Sequence, residues 1–382
     1  MNSQDSLHKM DQQYMSRAIQ LAKKGQFTTH PNPRVGCVIV KDDQIIGEGY
    51  HQIAGQPHAE INALSSVKKS NADLIEYSTA YVTLEPCSHT GKTPPCANAL
   101  VDLGIARVVI AMLDPNPEVS GKGVKKLLNA GIDVSIGALE EQARALNPGF
   151  IKRMEQNKPF VRVKMAMSLD GKTAMASGES QWITGSEARQ DVQRFRAQAD
   201  AILTGSGTVL DDNPSMNVRL SSDDLEIENG QTESVQQPLR VVLDTNLKIQ
   251  STAKMLGLSG DTLIYTCSAD TNKIQTLTDA GAEIKILMTS KISLIDILDD
   301  LALRQINEIH VEAGATLCGA LLSEKCVDEI VIYMAPTILG GDAKSLFNLP
   351  QLQSMKDKVN LEIKDIRAVG RDWRITATPV YS

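Results

Sequence analysis

The sequence predicts two consecutive α/β domains, residues 1–150 and residues 151–382. Segments rich in β-forming residues alternate along the chain with segments whose apolar residues recur at helical spacing, a pattern typical of layered folds with much parallel strand pairing. A length of 382 residues suggests two or three domains. A short basic and polar stretch, residues 149–158, interrupts the alternation and predicts a connector there.

The first domain is predicted to begin with a helix that starts at Asp11 and ends at Gly25, because apolar residues recur between them every three or four positions. A turn at residues 42–43 predicts a hairpin. The remaining predicted elements are strands at 35–40 and 44–49, a helix at 59–67, a strand at 79–84, a helix at 95–103, a strand at 107–112, a helix, a strand at 132–136 and a helix from Leu139.

The second domain is predicted to repeat this alternation after the connector. Residues 221–237 are acidic and poor in apolar residues, which predicts an exposed or mobile loop. The predicted elements are a strand at 160–167, a helix at 186–199, and strands at 201–203, 239–243, 262–265, 308–312 and 329–334.

The composition excludes several classes of function. The net charge of −7 and the pI near 5.5 argue against a broad electrostatic grip on nucleic acid. No apolar run is long enough to span a membrane, and the first 24 residues lack the features of a secretory signal. We therefore expect a cytoplasmic protein with a small-molecule substrate. A phosphorylated substrate stays open, since a few local arginines or lysines bind one phosphate.

Histidine and cysteine residues cluster where metal chemistry is expected. Five of the six histidines lie in the first quarter of the chain, and the six cysteines are scattered as free thiols or metal ligands rather than disulfides. His58, Cys87 and Cys96 form a set of one imidazole and two thiolates that suits Zn²⁺. Three protein ligands leave a fourth position for water, which is typical of a catalytic site.

Glu60 is the predicted proton shuttle beside this metal. Residues two apart do not share a face of a regular helix, so His58 and Glu60 converge only at the start of one. Pro57 favours that placement, and Pro95 is welcome in the first turn of the helix that carries Cys96. A carboxylate there can move a proton from water to a departing amine, as in zinc base deaminases.

Alternative interpretations stay open at this point. A closed zinc knuckle would recruit His89 or another cysteine as a fourth ligand. A base deaminase acting on tRNA or single-stranded nucleic acid would use the same His-x-Glu motif. A zinc-stabilised interaction protein would need no Glu60. Cys37 lies within an apolar strand and is interpreted as a core residue.

The second half carries weaker signals. Glycines follow predicted strands at residues 205–207 and at Gly314, where a helix could begin at a phosphate. Neither segment is a Gly-x-Gly-x-x-Gly fingerprint, so a Rossmann dinucleotide fold is not indicated. From residues alone, such glycines are most often simple turns.

Several strings together resemble the bifunctional pyrimidine deaminase/reductase family of riboflavin biosynthesis. The strings are Thr29–Gly36, Gly47–His51, the run Pro86–Cys96 with its long spacing between cysteines, and Asp114–Pro117. The resemblance extends from about Asp11 to the end of the chain. It implies a cytidine-deaminase-like three-layer domain followed by a dihydrofolate-reductase-like α/β domain, with Zn²⁺ and NADPH as cofactors.

The resemblance also implies site residues. The expected deaminase substrate contacts are Asn32, His51 and His89. The expected NADPH contacts are Ala166, Trp182, Thr208, Asp212, Thr245, Gly314, Ala315, Thr316, Leu317, Cys318, Gly319 and Ala320. The expected reductase substrate contacts are Ser180, Arg196, Met216, Arg219 and Glu312. Guanidinium forks suit phosphate oxygens, so Arg196 and Arg219 are the expected phosphate clamps. The oligomeric state and the reductase general acid are left open.

Overall fold

A computed structural model describes residues 3–88, 95–228 and 235–381 of the chain. The chain divides into two compact units. The first comprises Met1–Asn157 with Glu226–Glu233, and the second comprises Lys158–Leu225 with Ser234–Ser382. The expected contact of His89 with substrate lies outside the described residues.

The first unit is built on one five-stranded sheet with the strand order β2-β1-β3-β4-β5. Strand β1 runs antiparallel to both β2 and β3, and β3, β4 and β5 are parallel. The elements are α1 (Ser3–Lys23), β1 (Gly36–Lys41), β2 (Gln44–Tyr50), α2 (Ala59–Ser65), β3 (Thr79–Val82), α3 (Cys96–Asp102), β4 (Arg107–Ile110), α4 (Lys122–Asn129), β5 (Asp133–Ile136), α5 (Glu140–Arg144) and α6 (Pro148–Gln156), with a 3₁₀ turn at Lys69–Leu74.

Two apolar cores make this unit three-layered. On one face of the sheet, Met15 and Ala18 of α1 pack with Val38 of β1 and with Ile151 of α6. On the other face, residues of α2, α3 and α4 pack with alternate residues of the same strands. Strand alternation sends successive side chains to opposite faces, so Cys37 lies in the second core, as its apolar surroundings predicted.

The predicted connector at 149–158 contains the boundary between the two units, at Asn157 and Lys158, but most of the stretch is helical. Residues Pro148–Gln156 form helix α6, with proline in its first turn and Ile151 buried. Proline is favoured there because its missing N–H is not needed in the first turn. Of the basic and polar residues that suggested a connector, Glu155 and Gln156 are exposed, and Lys152 and Arg153 are half-buried.

The second unit contains a nine-stranded sheet in the order β11-β10-β9-β8-β12-β6-β13-β16-β15. Its elements are β6 (Phe160–Ser168), β7 (Lys172–Ala174), α7 (Ser186–Gln198), β8 (Ala201–Gly205), α8 (Ser206–Asp212), β9 (Leu239–Leu243), β10 (Thr262–Thr266), α9 (Thr271–Asp279), β11 (Ala282–Ile286), α10 (Leu294–Leu303), β12 (Glu308–Glu312), α11 (Ala315–Ser323), β13 (Glu329–Ala335), β14 (Lys344–Ser345), β15 (Asn360–Val369) and β16 (Asp372–Val380), with 3₁₀ turns at Lys254–Gly257 and Met355–Asp357.

Seven neighbouring strands of this sheet are parallel to one another: β11, β10, β9, β8, β12, β6 and β13. Their carboxyl ends therefore lie along one edge of the sheet. Helices α10 and α11 pack in the core on one face, and α8 packs with the turn at Lys254–Gly257 in the core on the other face. Ligands of open parallel sheets bind at this carboxyl edge, between the helices.

Several features after the first unit were not predicted correctly, among them helices α9 and α10 and the short strands β7 and β14. The edge strand β11 and the antiparallel hairpin β15–β16 were not predicted, because their residues alternate with charges at the surface. The segment 221–237 lacks helix and strand in its described part, as predicted. It is not wholly exposed, however, since Leu225 and Ile227 are buried. In the described part of the chain, no helix has the length and hydropathy needed to cross a membrane.

Candidate active sites

His58, Cys87 and Cys96 converge at helix ends in the first unit. His58 is the N-cap of α2, Cys87 follows β3, and Cys96 is the first residue of α3. The Nδ1 atom of His58 lies 3.6 Å from Sγ of Cys87 and 3.4 Å from Sγ of Cys96. The predicted placement of His58 at the start of a helix is confirmed.

This donor set fits Zn²⁺. Tetrahedral zinc with bonds of ~2.1 Å to nitrogen and ~2.3 Å to sulfur separates the two donors by roughly 3.6 Å. All three donor atoms lie within 4.8 Å of one another. Hydrogen bonds with Cys96 and His58 lower the pKa of the Cys87 thiol, and the backbone N–H of Cys96 also donates to its sulfur at 3.3 Å. The thiolate form of Cys87 is therefore favoured, whereas the hydrogen bond with Cys87 raises the pKa of Cys96.

Glu60 lies in the first turn of α2 and is 3% exposed. Burial, and after it the charge of Cys87, raise the pKa of this carboxyl to about 7. A carboxyl with a pKa near the working pH can both accept and return a proton.

Asn32 and His51 lie beside the ligands. Asn32 Nδ2 donates to Nε2 of His51 at 3.1 Å, and Nδ1 of His51 donates to the carbonyl of Pro57 at 3.2 Å. The two bonds assign the proton of His51 to Nδ1. The ring of His51 packs edge-on against the ring of His58, with centroids 5.3 Å apart. The structure therefore brings both expected substrate contacts to the metal cluster.

The second unit holds a cavity of about 1400 Å³ at the carboxyl edge of its sheet. The expected reductase residues that line it are Ala166, Ser180, Trp182, Arg196, Thr208, Asp212, Met216, Arg219, Thr245, Glu312, Gly314, Ala315, Thr316, Leu317 and Ala320. Cys318 and Gly319 are not part of the lining. Cys318 is buried in the core, and a Cβ at Gly319 would lie 2.2 Å from the carbonyl oxygen of Asn348.

Comparison with protein families matches both units. Residues 8–112 match the cytidine and deoxycytidylate deaminase zinc-binding region, and residues 159–375 match the RibD C-terminal domain. The riboflavin biosynthesis protein RibD of Escherichia coli K12 is 47% identical over 367 residues, which cover 95% of this chain and 97% of that protein. The chain belongs to the RibD family.

Solved structures of the family agree with this assignment. Acinetobacter baumannii RibD is 46% identical, with a TM-score of 0.89 and coverage of 98% of this chain and 100% of that one. A Thermotoga maritima structure, named as a diaminohydroxyphosphoribosylaminopyrimidine deaminase/5-amino-6-(5-phosphoribosylamino)uracil reductase, is 34% identical, with a TM-score of 0.85 and coverage of 98% and 99%. The chain is a bifunctional enzyme of riboflavin biosynthesis, a deaminase and a reductase, with Zn²⁺ and NADPH as cofactors.

The cavity of this RibD-family chain fits a dinucleotide. A Cβ added at Gly207 or Gly314 would meet no atom within 4 Å, so both glycines leave open space beside the helices that follow them. Gly314 is the N-cap of the nine-residue helix α11 and has no side-chain cap. The free backbone N–H groups of that first turn are suited to a pyrophosphate.

A buried ion pair between Arg196 and Glu312 lines the cavity. Arg196 donates to both carboxylate oxygens of Glu312, with Nε–Oε1 at 2.6 Å and Nη2–Oε2 at 2.8 Å, and also to the carbonyl of Asn217 at 3.0 Å. Burial opposes the charge on Glu312, but Arg196 outweighs it and lowers the pKa of Glu312. Burial and the nearby Arg196 lower the pKa of Arg219. Arg196 therefore holds Glu312, and Arg219 keeps more of its donors free.

Two residues of the RibD-family sites carry no recognisable signal in the sequence. Lys164 lines the cavity, and burial lowers its pKa. It lies inside a β-strand, where alternation alone does not show that a lysine points into a cavity. Glu85, directly before Pro86 and Cys87, is 4% exposed. Its carboxylate accepts four backbone N–H groups, those of Asp114, Gly121, Gly123 and Val124, at 2.8–3.1 Å.

Proposed function

We propose that residues 1–150 deaminate 2,5-diamino-6-(5-phosphoribosylamino)pyrimidin-4-one and that residues 151–382 then reduce the ribosyl group of the product to ribityl phosphate. The donor cluster of His58, Cys87 and Cys96 beside buried Glu60 carries the first half of the proposal. The family matches at residues 8–112 and 159–375 support the assignment of the two activities to the two domains.

In the deaminase half, His58, Cys87 and Cys96 would hold the metal. Zn²⁺ held there would supply the acidification of the attacking water. Glu60 would move one proton of the water to the pyrimidine ring nitrogen and then the second proton, from the added hydroxyl group, to the departing amine. Water supplies the oxygen that replaces the amine, and ammonia leaves. Burial of Glu60 keeps the transferred proton away from solvent.

Asn32 and His51 would bind the pyrimidine beside the metal cluster, and His89 is a third proposed contact from the sequence. The bond to Pro57 keeps the ring of His51 in one orientation. The bond from Asn32 Nδ2 to Nε2 of His51 fixes the amide of Asn32, whose second N–H and carbonyl oxygen then present a donor and an acceptor to the planar ring. Such a pair supplies specificity rather than chemistry.

In the reductase half, the cavity at the carboxyl edge would bind NADPH and the ribosyl phosphate together. NADPH supplies a hydride when bound. The first turn of α11, from Gly314, would bind the pyrophosphate through backbone N–H groups. Further proposed contacts of the cofactor are Ala166, Trp182, Thr208, Asp212, Thr245, and residues 315–320. Cys318 and Gly319 would act only through the helix backbone, because they lie away from the cavity surface.

The substrate phosphate would be bound by Arg219, with Arg196 fixed by Glu312 beside it. Arg219 uses Nη1 on the side chain of Asn217 at 3.1 Å and is half-buried, so the other donors can face a phosphate. Ser180 and Met216 are the other proposed substrate contacts in the lining.

We propose that the partners of the chain are small molecules and that it works in the cytoplasm. The net charge of −7 disfavours nucleic acid, which supports the small pyrimidine over the alternative of a tRNA or DNA base deaminase. Self-association of the chain stays open.

Turnover of the diaminopyrimidine by the purified chain tests the proposal. Chromatography with mass detection should show the amine replaced by oxygen without NADPH, and a further gain of two hydrogens only when NADPH is added. Absence of ammonia release from zinc-loaded protein would refute the first half. A deaminated product that does not consume NADPH would refute the second.

A further inference from the structure

One wall of the reductase cavity is a short segment, the cavity loop (residues 180–184), which leads directly into helix α7. All five of its residues line the cavity, and they include the proposed substrate contact Ser180. Arg189 of α7 holds this loop twice. Its guanidinium stacks on Trp182, 4.6 Å from the ring centroid, and its Nη1 donates to the carbonyl of Thr184 at 2.7 Å. The position of the cavity loop therefore depends on the position of the start of α7.

The start of α7 is held by a residue from a distant strand. Its N-cap, Gly185, has no side chain that could cap the helix. The backbone N–H of Gly185 donates instead to Oδ2 of Asp372 at 2.7 Å. Asp372 is the first residue of β16, directly after the turn of the β15–β16 hairpin, and it is fully buried. A carboxylate near a helix N-terminus is also favoured by the helix dipole.

The neighbours of Asp372 in the hairpin turn contact the same segment. Nη2 of Arg371 donates to the carbonyl of Ile183, in the cavity loop, at 3.3 Å. Gly370 has a φ of +61°, and a Cβ there would lie 2.8–2.9 Å from atoms of the Glu187 side chain. Glycine therefore allows the hairpin turn to approach the first turn of α7 this closely.

The middle of α7 is fixed by other contacts. Oδ2 of Asp191 accepts from Nη1 of Arg374 at 2.7 Å and from the hydroxyl of Tyr333 at 2.6 Å. These bonds do not involve the hairpin turn. The contacts of Asp372 and Arg371 therefore act on the first turn of α7 and on the cavity loop before it.

We propose that Asp372 is a positioning residue of the reductase, which together with Arg371 holds the cavity loop in the place where it contacts the substrate. This inference rests on the proposed reduction in this cavity. Neither residue is among the described residues that line the cavity, so both act through the backbone of residues 183–185. Because the carboxylate is fully buried, removing it leaves the N–H of Gly185 without its acceptor.

Steady-state reduction of the deaminated compound by the full chain, at saturating NADPH, tests the proposal. We expect Asp372→Ala to raise the KM for this compound roughly tenfold and to change kcat less than about twofold, because the loop supplies binding and the cofactor supplies the hydride. Asp372→Asn keeps an acceptor oxygen and should recover the parent KM. Glu362→Ala, on the exposed face of the same hairpin, is the matched control.

A second variant covers the case in which Asp372→Ala does not fold. Arg371 is exposed, so Arg371→Ala should leave the fold intact and remove only the bond to Ile183. We expect its KM to rise in the same direction by a smaller factor.

Fluorescence anisotropy of Trp182 reports on the cavity loop without turnover. The chain has two tryptophans, so Trp373→Phe leaves Trp182 as the single reporter. In that background, the anisotropy should fall when Asp372→Ala is added, because the loop gains freedom to move, and should stay at the parent value with Asp372→Asn.

Parent values of KM and anisotropy in both Asp372→Ala and Arg371→Ala would overturn the proposal, even if the unfolding midpoint falls, because the hairpin turn would then only support the fold. An Asp372→Asn variant as defective as Asp372→Ala would overturn the role of the hydrogen bond to Gly185. If the parent chain does not reduce the compound, the proposed function fails, and the anisotropy of Trp182 still decides whether Asp372 holds the loop.

Discussion

The two proposed active sites place their chemistry in different parts of the chain. In the deaminase site, three side-chain donors and one carboxylate lie in two short strings at helix ends, and each side chain has one chemical task. In the reductase cavity, the lining comes from strand, loop and helix residues spread between Lys164 and Lys344. The reactive group of the deaminase depends on protein donors, whereas the reductase obtains its hydride from a cofactor.

This difference predicts that single substitutions break the first site and only weaken or retune the second. Cys87→Ser should remove a thiolate ligand, so the chain should lose zinc and release no detectable ammonia. NADPH consumption with the deaminated compound should stay at the parent level. Metal content by mass spectrometry and the two turnover assays measure this, with Cys267→Ser as the control. Stoichiometric zinc in Cys87→Ser would contradict the assigned ligand set.

The largest expected effect in the reductase unit follows from its buried ion pair. Arg196→Met removes both charge-assisted hydrogen bonds to the buried carboxylate of Glu312, which should lower the free energy of unfolding by about 3–5 kcal/mol. Both tryptophans of the chain, Trp182 and Trp373, lie in this unit, so fluorescence during urea unfolding reports on it.

The double variant Arg196→Met with Glu312→Leu separates stability from function. Removing both charges should restore most of the lost stability, while NADPH consumption stays low because the proposed substrate contacts are gone. Recovery of reduction along with stability would show that the pair only supports the fold.

A smaller effect is expected from Glu85, which supports the metal site without touching the metal. Glu85→Gln replaces one acceptor oxygen with an amide that faces backbone N–H groups, so the turn before Cys87 should loosen. We expect zinc affinity to fall about 10–100-fold. Competition with a chromophoric chelator measures it, with exposed Glu76→Gln as the control. Unchanged affinity would limit Glu85 to holding residues 114–124.

The smallest expected effect is a pH dependence in the reductase unit. Burial lowers the pKa of His310 to about 3, against an ordinary value of 6.5, despite the opposing charge of Glu312. The unfolded chain therefore binds one more proton between these pH values, and stability falls as the pH drops below 6.5, by at most about 1.4 kcal/mol per unit. In the His310→Leu variant, the unfolding midpoint should change less between pH 7 and pH 5 than it does in the parent chain. A parallel pH profile in the variant would contradict this.

The same difference between the two sites explains which of their residues could be predicted from the sequence alone. His58, Glu60, Cys87 and Cys96 were predictable because a metal fixes the residue types at its ligand positions, and the structure brings the three donors together. Lys164 and Glu85 could not be found, since both act through their position in the tertiary structure rather than through a motif. Helix α6 within the stretch 149–158 was missed for the same reason: Ile151 is buried only in the context of the α1 layer.

The surface strands β15 and β16 show a second limit on predicting structure from sequence patterns. Strands β15 and β16 pair with each other, and β15 exposes most of its side chains, including Ile363 and Ile366. Their hydrophobic pattern is weak, so pairing rather than burial defines them.

The most direct test of the central claim is Glu60→Gln, measured by zinc content, ammonia release and NADPH consumption in the same preparation. We expect the variant to keep its zinc, to release ammonia at least about a hundredfold more slowly, and to reduce the deaminated compound at the parent rate. Ammonia release at the parent rate would contradict the role of Glu60 as the proton shuttle, and loss of zinc would show that Glu60 instead maintains the metal site.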